Sequence, residues 1–201
     1  MSHYAVIDVE TSGLSPQQGR IVEIAILLAD REGNELDRFE SLVNPGGSVG
    51  ATHIHGITRD MVRRAPAFQE IIGDVAVLLK DAVLVAHNIP FDKGFLFAEF
   101  RRCGLEPRDL PSLCTLRLSR KYLSHLPSRS LQALCLHYGI DQRLAHSALD
   151  DCRSALSLLL YLEKEMDLRG VTLESQVTGS RSIQWPETPP EGRALRRVDL
   201  L

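Results

Sequence analysis

The chain has no excess of basic residues. Its 23 Lys and Arg stand against 26 Asp and Glu, a net charge of −3. A nucleic-acid ligand would therefore have to be drawn by a local patch or by bound metal, not by the charge of the whole protein. Cysteine is scarce: Cys103, Cys114, Cys135 and Cys152 lie in or beside apolar segments, and no CxxC pair occurs. That pattern fits reduced core thiols in a cytoplasmic protein better than a disulfide framework. No apolar run is long enough to span a membrane and no signal-peptide pattern precedes the first strand, so neither span nor leader is expected. Internal repeats are missing, as is any EF-hand-like loop, which argues against a calcium-stabilised domain.

The length, 201 residues with 44% hydrophobic and 24% charged, suits one globular domain with a sizeable core. Residues 4–9, 21–29 and 35–44 read as strands, joined by connections short enough for an antiparallel meander. The period then changes. Phe68, Ile71, Ile72, Val75, Leu78 and Leu79 recur at helical spacing. Residues 82–86 read as a short buried strand, and Pro90 opens a helix that Gly104 closes. A short strand is expected at 113–115, and helices at 116–122 and 130–138, the last with Ser130 as N-cap and Gly139 just past its end. A long amphipathic helix follows over 148–165. The order predicts an α/β domain over 1–169, a mixed sheet flanked by helices. Residues 170–201 read as a tail, docking or flexible, that carries the single tryptophan, Trp185. Gln176-Val-Thr-Gly-Ser180 lacks the apolar and aromatic residues of a sliding-clamp peptide.

What the chain does have is acid in unusual places. Asp8-Val9-Glu10 sits inside the apolar run Tyr4–Val9. Two carboxylates two residues apart in a strand share a face. Burying them costs free energy unless a positive charge compensates, and a divalent ion with oxygen ligands is the simplest such charge. A further acid, Asp92, falls in the first turn of the helix after His87-Asn-Ile-Pro-Phe-Asp92, at the carboxyl end of a strand, where α/β folds place ligands. Capping of that helix is the competing reading. The third group is His146-Ser-Ala-Leu-Asp-Asp151. A neutral histidine beside metal-bound carboxylates can take a proton from water. Asp150 and Asp151 point in different directions on a helix, and spacing does not choose between them. Four acids could share two ions, of the Mg²⁺ or Mn²⁺ kind, since zinc would call for more His or Cys.

Taken in order, Asp8-Val-Glu10-Thr-Ser-Gly13, His87-Asn-Ile-Pro-Phe-Asp92 and His146-x4-Asp151 resemble the three motifs of the DEDDh, or DnaQ-like, 3′→5′ exonucleases. His53-Ile-His55-Gly-Ile-Thr58 is similar to a further element of that family. The resemblance covers about residues 4–165 and is strongest to the proofreading epsilon subunits of bacterial replicative DNA polymerases and their stand-alone relatives. It implies a ribonuclease-H-like fold, a mixed five-stranded sheet whose second strand runs against the rest. It implies Asp8, Glu10, Asp92 and Asp151 as metal ligands for two Mg²⁺ or Mn²⁺ ions, and so selects Asp151 over Asp150. It implies His146 as general base, His55 as a contact to the terminal nucleotide, and Thr11 and Phe91 lining the site beside Glu10 and His146. DNA 3′ ends, single-stranded or frayed, would be the substrate and nucleoside 5′-monophosphates the product. A polymerase catalytic subunit would be the partner. One departure stands out: relatives often carry glutamate where this chain has Gly50.

Two other readings compete. The same chemistry could act on RNA or short oligoribonucleotides, since sugar discrimination depends on contacts near the 2′ position. The fold could instead serve as a non-catalytic nucleic-acid-binding or polymerase-assembly module. Arg117, Arg120, Lys121 and Arg129 could hold strand phosphates, with a solvated charged face as the alternative.

Overall fold

The computed structural model describes residues 3–107, 109–142 and 147–179. Three antiparallel strands open the chain: β1 (His3–Thr11), β2 (Ile21–Ala29) and β3 (Glu35–Leu42). Two short helices, α1 (Thr52–His55) and α2 (Arg59–Val62), lead to α3 (Phe68–Leu79). Then come β4 (Ala82–Ala86), α4 (Ile89–Arg102), β5 (Ser112–Cys114), α5 (Thr115–Tyr122), α6 (Leu131–Tyr138) and α7 (Ala148–Asp167), with a closing 3₁₀ turn at Leu173–Gln176. The five strands form one sheet in the order β3-β2-β1-β4-β5. β2 runs antiparallel to β1 and β3, while β4 lies parallel to β1 and β5 parallel to β4. This is the mixed sheet, with its second strand running against the rest, expected of a ribonuclease-H-like fold.

Alternation along β1 divides the core. Ala5, Ile7 and Val9 face the layer built by α3 and α4, together with Phe68, Phe95 and Phe100. Tyr4 and Val6 face the layer built by α5, α6 and α7, among them Leu156, Leu159 and Leu162. Asp8 and Glu10 continue the Tyr4 and Val6 series, so the pleat turns both acids toward α7. The strand runs two residues beyond the expected end at Val9, because β2 pairs with it as far as Thr11.

The expected helix ends have clear causes. Pro90 stands in the first turn of α4, where its missing N–H costs nothing. Ser130 accepts a hydrogen bond from the Ala133 amide at the start of α6, and Gly139 closes it in the left-handed region. Asn88 stands at the N-terminus of α4 without a side-chain cap hydrogen bond, and the loop before α4 is tied by His87. Its Nδ1 lies 2.9 Å from Thr115 Oγ1, and its Nε2 lies 2.9 Å from the Arg129 carbonyl oxygen. Burial pushes the His87 ring below its ordinary 6.5, which keeps it neutral as a brace between β4, α5 and the loop before α6.

The segment after α7 packs on the body. Leu173 is buried, and Val171 and Val177 lie against the same core layer. Thr178 pairs with Ser112 at the edge of β5, the Ser112 amide donating to the Thr178 carbonyl at 2.7 Å and the Thr178 amide returning a bond at 2.9 Å. Arg31 reaches across to Glu174. Trp185 lies outside the described residues. Among the described residues no helix is long and apolar enough to cross a membrane.

Candidate active site

β4 pairs with β1 only from His3 to Val6, so the carboxyl half of β1 extends past its parallel neighbour. The first turn of α4 occupies the vacated place. Asp92 is 5% exposed, and the backbone amides of Asp92 and Val9 favour its ionised form. It thus lies within reach of β1 as well as in the first turn of its own helix. Asp8 and Glu10 are half-buried on that strand, and Glu10 stands opposite Glu23 on β2. Asp151 comes from the first turn of α7, with its amide bonded to the Ser147 carbonyl and its Oδ1 3.5 Å from Gln142 Nε2.

The charges of these groups act on one another. Burial raises Asp8 well above the usual carboxylate range, and Asp92, Asp151, Glu10 and Glu23 each push it further. Burial also raises Asp92 from 3.8 to about 7, against the pull of its two amide bonds, with a further push from Glu10. The Cys152 thiol behind them is raised by burial and by the fields of Asp8, Asp92 and Asp151. Repulsion of this kind marks a place where negative charge is gathered. Asp150 stands apart. Its Oδ1 lies 3.1 Å from Arg153 Nη1, on the outer side of α7.

Half-buried carboxylate oxygens that repel one another have the chemistry of a hard divalent cation site. The carboxyls are gathered rather than closed up: among the described residues no three His, Cys, Asp or Glu side chains are arranged to hold an ion. His146 lies outside the described residues.

The other expected residues make contacts within the protein. His55 is 3% exposed. Its Nδ1 accepts from the Ile57 amide at 3.0 Å and its Nε2 lies 3.2 Å from the Val49 carbonyl oxygen, so both ring nitrogens serve the loop at 49–57. Thr11 Oγ1 bonds the Gly13 carbonyl at 2.7 Å. Phe91 packs on Phe95 with ring centroids 4.9 Å apart. Three residues of the basic cluster after β5 bond within the chain, while Arg120 is exposed. Arg117 and Lys121 bond Gln176 at 3.0 Å each, and Arg129 bonds the Leu123 and Ser124 carbonyls.

Sequence reasoning passed over Glu23 and Glu99, both carboxylates buried in apolar elements. The signal was present for each. Glu23 interrupts the apolar run of β2, and Glu99 lies seven residues after Asp92 in the buried stripe of α4.

Gly50 explains its own departure. It takes a positive φ of 75°, and an added Cβ would lie 2.2 Å from the Ser12 carbonyl oxygen. No side chain fits there unless the loop moves. Gly50→Ala is expected to cost about 2 kcal/mol, or about 5 °C in Tm for a chain of this size, measured by thermal melting; an unchanged Tm would mean that the Ser12 contact yields freely.

Comparison with known proteins shows the family and the fold. Residues 5–159 match the RNase_T exonuclease family. The PolC-type DNA polymerase III of Bacillus cereus is 34% identical over 179 residues, which is 88% of this chain and 12% of that protein. The chain thus spans about an eighth of the length of such relatives. Among solved structures, E. coli exonuclease I in complex with a dT13 oligonucleotide superposes with a TM-score of 0.75 at 18% identity, covering 85% of this chain and 43% of that one. A full-length 3′-exonuclease superposes with a TM-score of 0.68 at 19% identity, over 96% of both chains.

Proposed function

The chain belongs to the RNase_T exonuclease family, and from that premise we propose that it is a metal-dependent 3′→5′ exonuclease acting on DNA. The observation that carries the reading is the set of mutually repelling carboxyls, Asp8, Glu10, Asp92 and Asp151, at the overhanging end of β1. The preference for DNA rests on the identity to PolC-type polymerases. The same likeness supports a polymerase catalytic subunit as partner and proofreading as the task.

In this reading the four carboxylates hold two divalent ions, Mg²⁺ or Mn²⁺. When bound, such ions lower the pKa of a water and neutralise charge on a phosphodiester. The protein does the rest. Asp92 is fixed by the Val9 amide, and Asp8 and Glu10 by the pleat of β1, so the donors need little reorganisation. His146 takes the proton of the attacking water as its oxygen bonds to phosphorus. The bond from phosphorus to the 3′ oxygen breaks, leaving a nucleoside 5′-monophosphate and a strand shortened by one residue. Thr11 and Phe91 border the place of the terminal nucleotide. His55 shapes the loop beside it.

The test uses a 5′-labelled single-stranded DNA and a matched RNA, each with Mg²⁺ or Mn²⁺ and with EDTA. A ladder shortening from the 3′ end, abolished by EDTA and faster on DNA, is the expected result. Asp151→Asn should slow it by about 100-fold or more, and Asp150→Asn by less than about threefold. Equal losses would undo the assignment of Asp151. Faster cutting of RNA would move the substrate class, and no cutting of either strand would favour a binding or assembly module.

A further inference from the structure

Seven residues beyond Asp92, about two helical turns, Glu99 stands on the same buried stripe of α4 and is 1% exposed. Arg20 grips its carboxylate in a fork, Nε at 2.7 Å and Nη2 at 3.0 Å. Arg102 Nη1 reaches it at 3.0 Å and the Ile21 amide at 3.3 Å. Both arginines then hold backbone. Arg20 Nη1 donates to the Pro45 carbonyl at 3.3 Å, and Arg102 Nη2 to those of Pro16 and Gln17 at 2.6 and 3.3 Å.

The chain from 12 to 20 is a closed loop. The Ser12 amide donates to the Arg20 carbonyl and the Arg20 amide to Ser12 Oγ, each at 2.9 Å. It leaves β1 directly after Glu10 and Thr11. It lies hard on α4: a Cβ at Gly19 would meet the Phe95 ring at 3.0 Å, and one at Gly94 would meet Pro16 at 3.3 Å. On its other side Gly50 abuts Ser12, which joins the loop to the segment carrying His55. One buried carboxylate therefore ties the helix that bears Asp92 to the loop that follows Glu10.

We propose that Glu99 is a positioning residue that sets Asp92 against Asp8 and Glu10 through its Arg20 and Arg102 pairs. This rests on the exonuclease reading of the carboxyl site. A helix anchored at one point only can slide or rotate against the strand, and small displacements of ligands weaken metal binding and slow chemistry by 10- to 100-fold or so. The fork from Arg20 resists both motions because it fixes direction as well as distance.

Glu99→Gln keeps the shape and removes the charge. Arg20 and Arg102 are about one-third exposed and can turn to water, so the fold is expected to survive. Arg102→Gln, which leaves the Arg20 pair intact, is the second variant. Mn²⁺ binding is read by calorimetry, amide exchange at residues 12–21 by mass spectrometry, and turnover on the labelled strand. Glu99→Gln should bind Mn²⁺ about tenfold more weakly, exchange faster at 12–21, and lose 10- to 100-fold or so in kcat with KM within about threefold. Arg102→Gln should move in the same direction by less. A folded Glu99→Gln that binds Mn²⁺ within about twofold of the parent would overturn the proposal. If that variant does not fold, the same result for Arg102→Gln overturns it. The metal titration does not need turnover, so a parent that binds Mn²⁺ without cutting tells against the functional reading alone. A parent that takes up no Mn²⁺ would overturn both.

Discussion

Asp8→Asn should melt higher than the parent in EDTA at pH 8 and cut strands at least about 1000-fold more slowly with Mg²⁺. The two effects have one cause. At that pH the metal-free protein holds Asp8 in a field made by Asp92, Asp151, Glu10 and Glu23, and burial has removed much of the water that would screen it. An amide of the same shape carries no charge into that field, so the folded state gains about 1 kcal/mol or more. For a chain of this length that is a rise of about 2–4 °C in Tm. The same substitution removes a charged oxygen donor from among these acids. Melting in EDTA and single-turnover cutting with Mg²⁺ are the two measurements. Unimpaired turnover would remove Asp8 from the metal site. A lower Tm would mean that the carboxyls do not repel one another as their placement implies.

The second large effect is on stability against pH without metal. Asp92 ionises at about 7 in the folded protein, because burial opposes its charge, and near 3.8 when unfolded. Between those values the folded chain holds a proton that the unfolded chain has released. Its contribution is complete below about pH 4 and is lost as pH rises through about 7, up to about 4 kcal/mol for this group. Asp8 is raised as well, so the proton belongs to the cluster more than to one oxygen, and the loss extends to higher pH. Melting in EDTA should therefore fall steadily from pH 5 to pH 9. Added Mg²⁺ or Mn²⁺ should reverse that fall at high pH, since an ion binds the ionised carboxylates and only in the folded state. Asp92→Asn should flatten the profile and blunt the response to metal. A Tm that is flat in EDTA, or that rises with pH, would contradict the placement of Asp92 against β1.

Much of the sheet could be read in advance because its residues announce themselves locally. Asp8 and Glu10 are conspicuous because the strand around them is otherwise apolar, and the buried stripe of α4 is visible from Phe95 to Phe100. Gly139 and Ser130 mark the ends of α6 by their own chemistry. What stayed hidden depends on register or on distant chain. α1 and α2 have four residues each, too few to show a period. Nothing in the order of residues says that His55 folds inward, because its partners are backbone groups that the α1 turn brings near. The Arg117 and Lys121 pairings require residue 176 to return to α5. Glu99 could be seen on the stripe, but its meaning needed Arg20, which lies 79 positions earlier. The choice between Asp150 and Asp151 could not come from spacing; what favours Asp151 is that Asp150 is paired with Arg153 while the field of Asp151 reaches Asp8.

The bridge between Thr178 and Ser112 has a further consequence for handling the protein. β5 is the outermost strand on its side of the sheet, and its backbone at Ser112 is saturated only by this returning segment. A chain trimmed at residue 169 would bare that edge together with the apolar seat of Leu173. Open edges recruit strands from other molecules, so such a trimmed chain would tend toward self-association rather than loss of fold. Aggregates formed by it would report on a missing cover strip, not on a weak core.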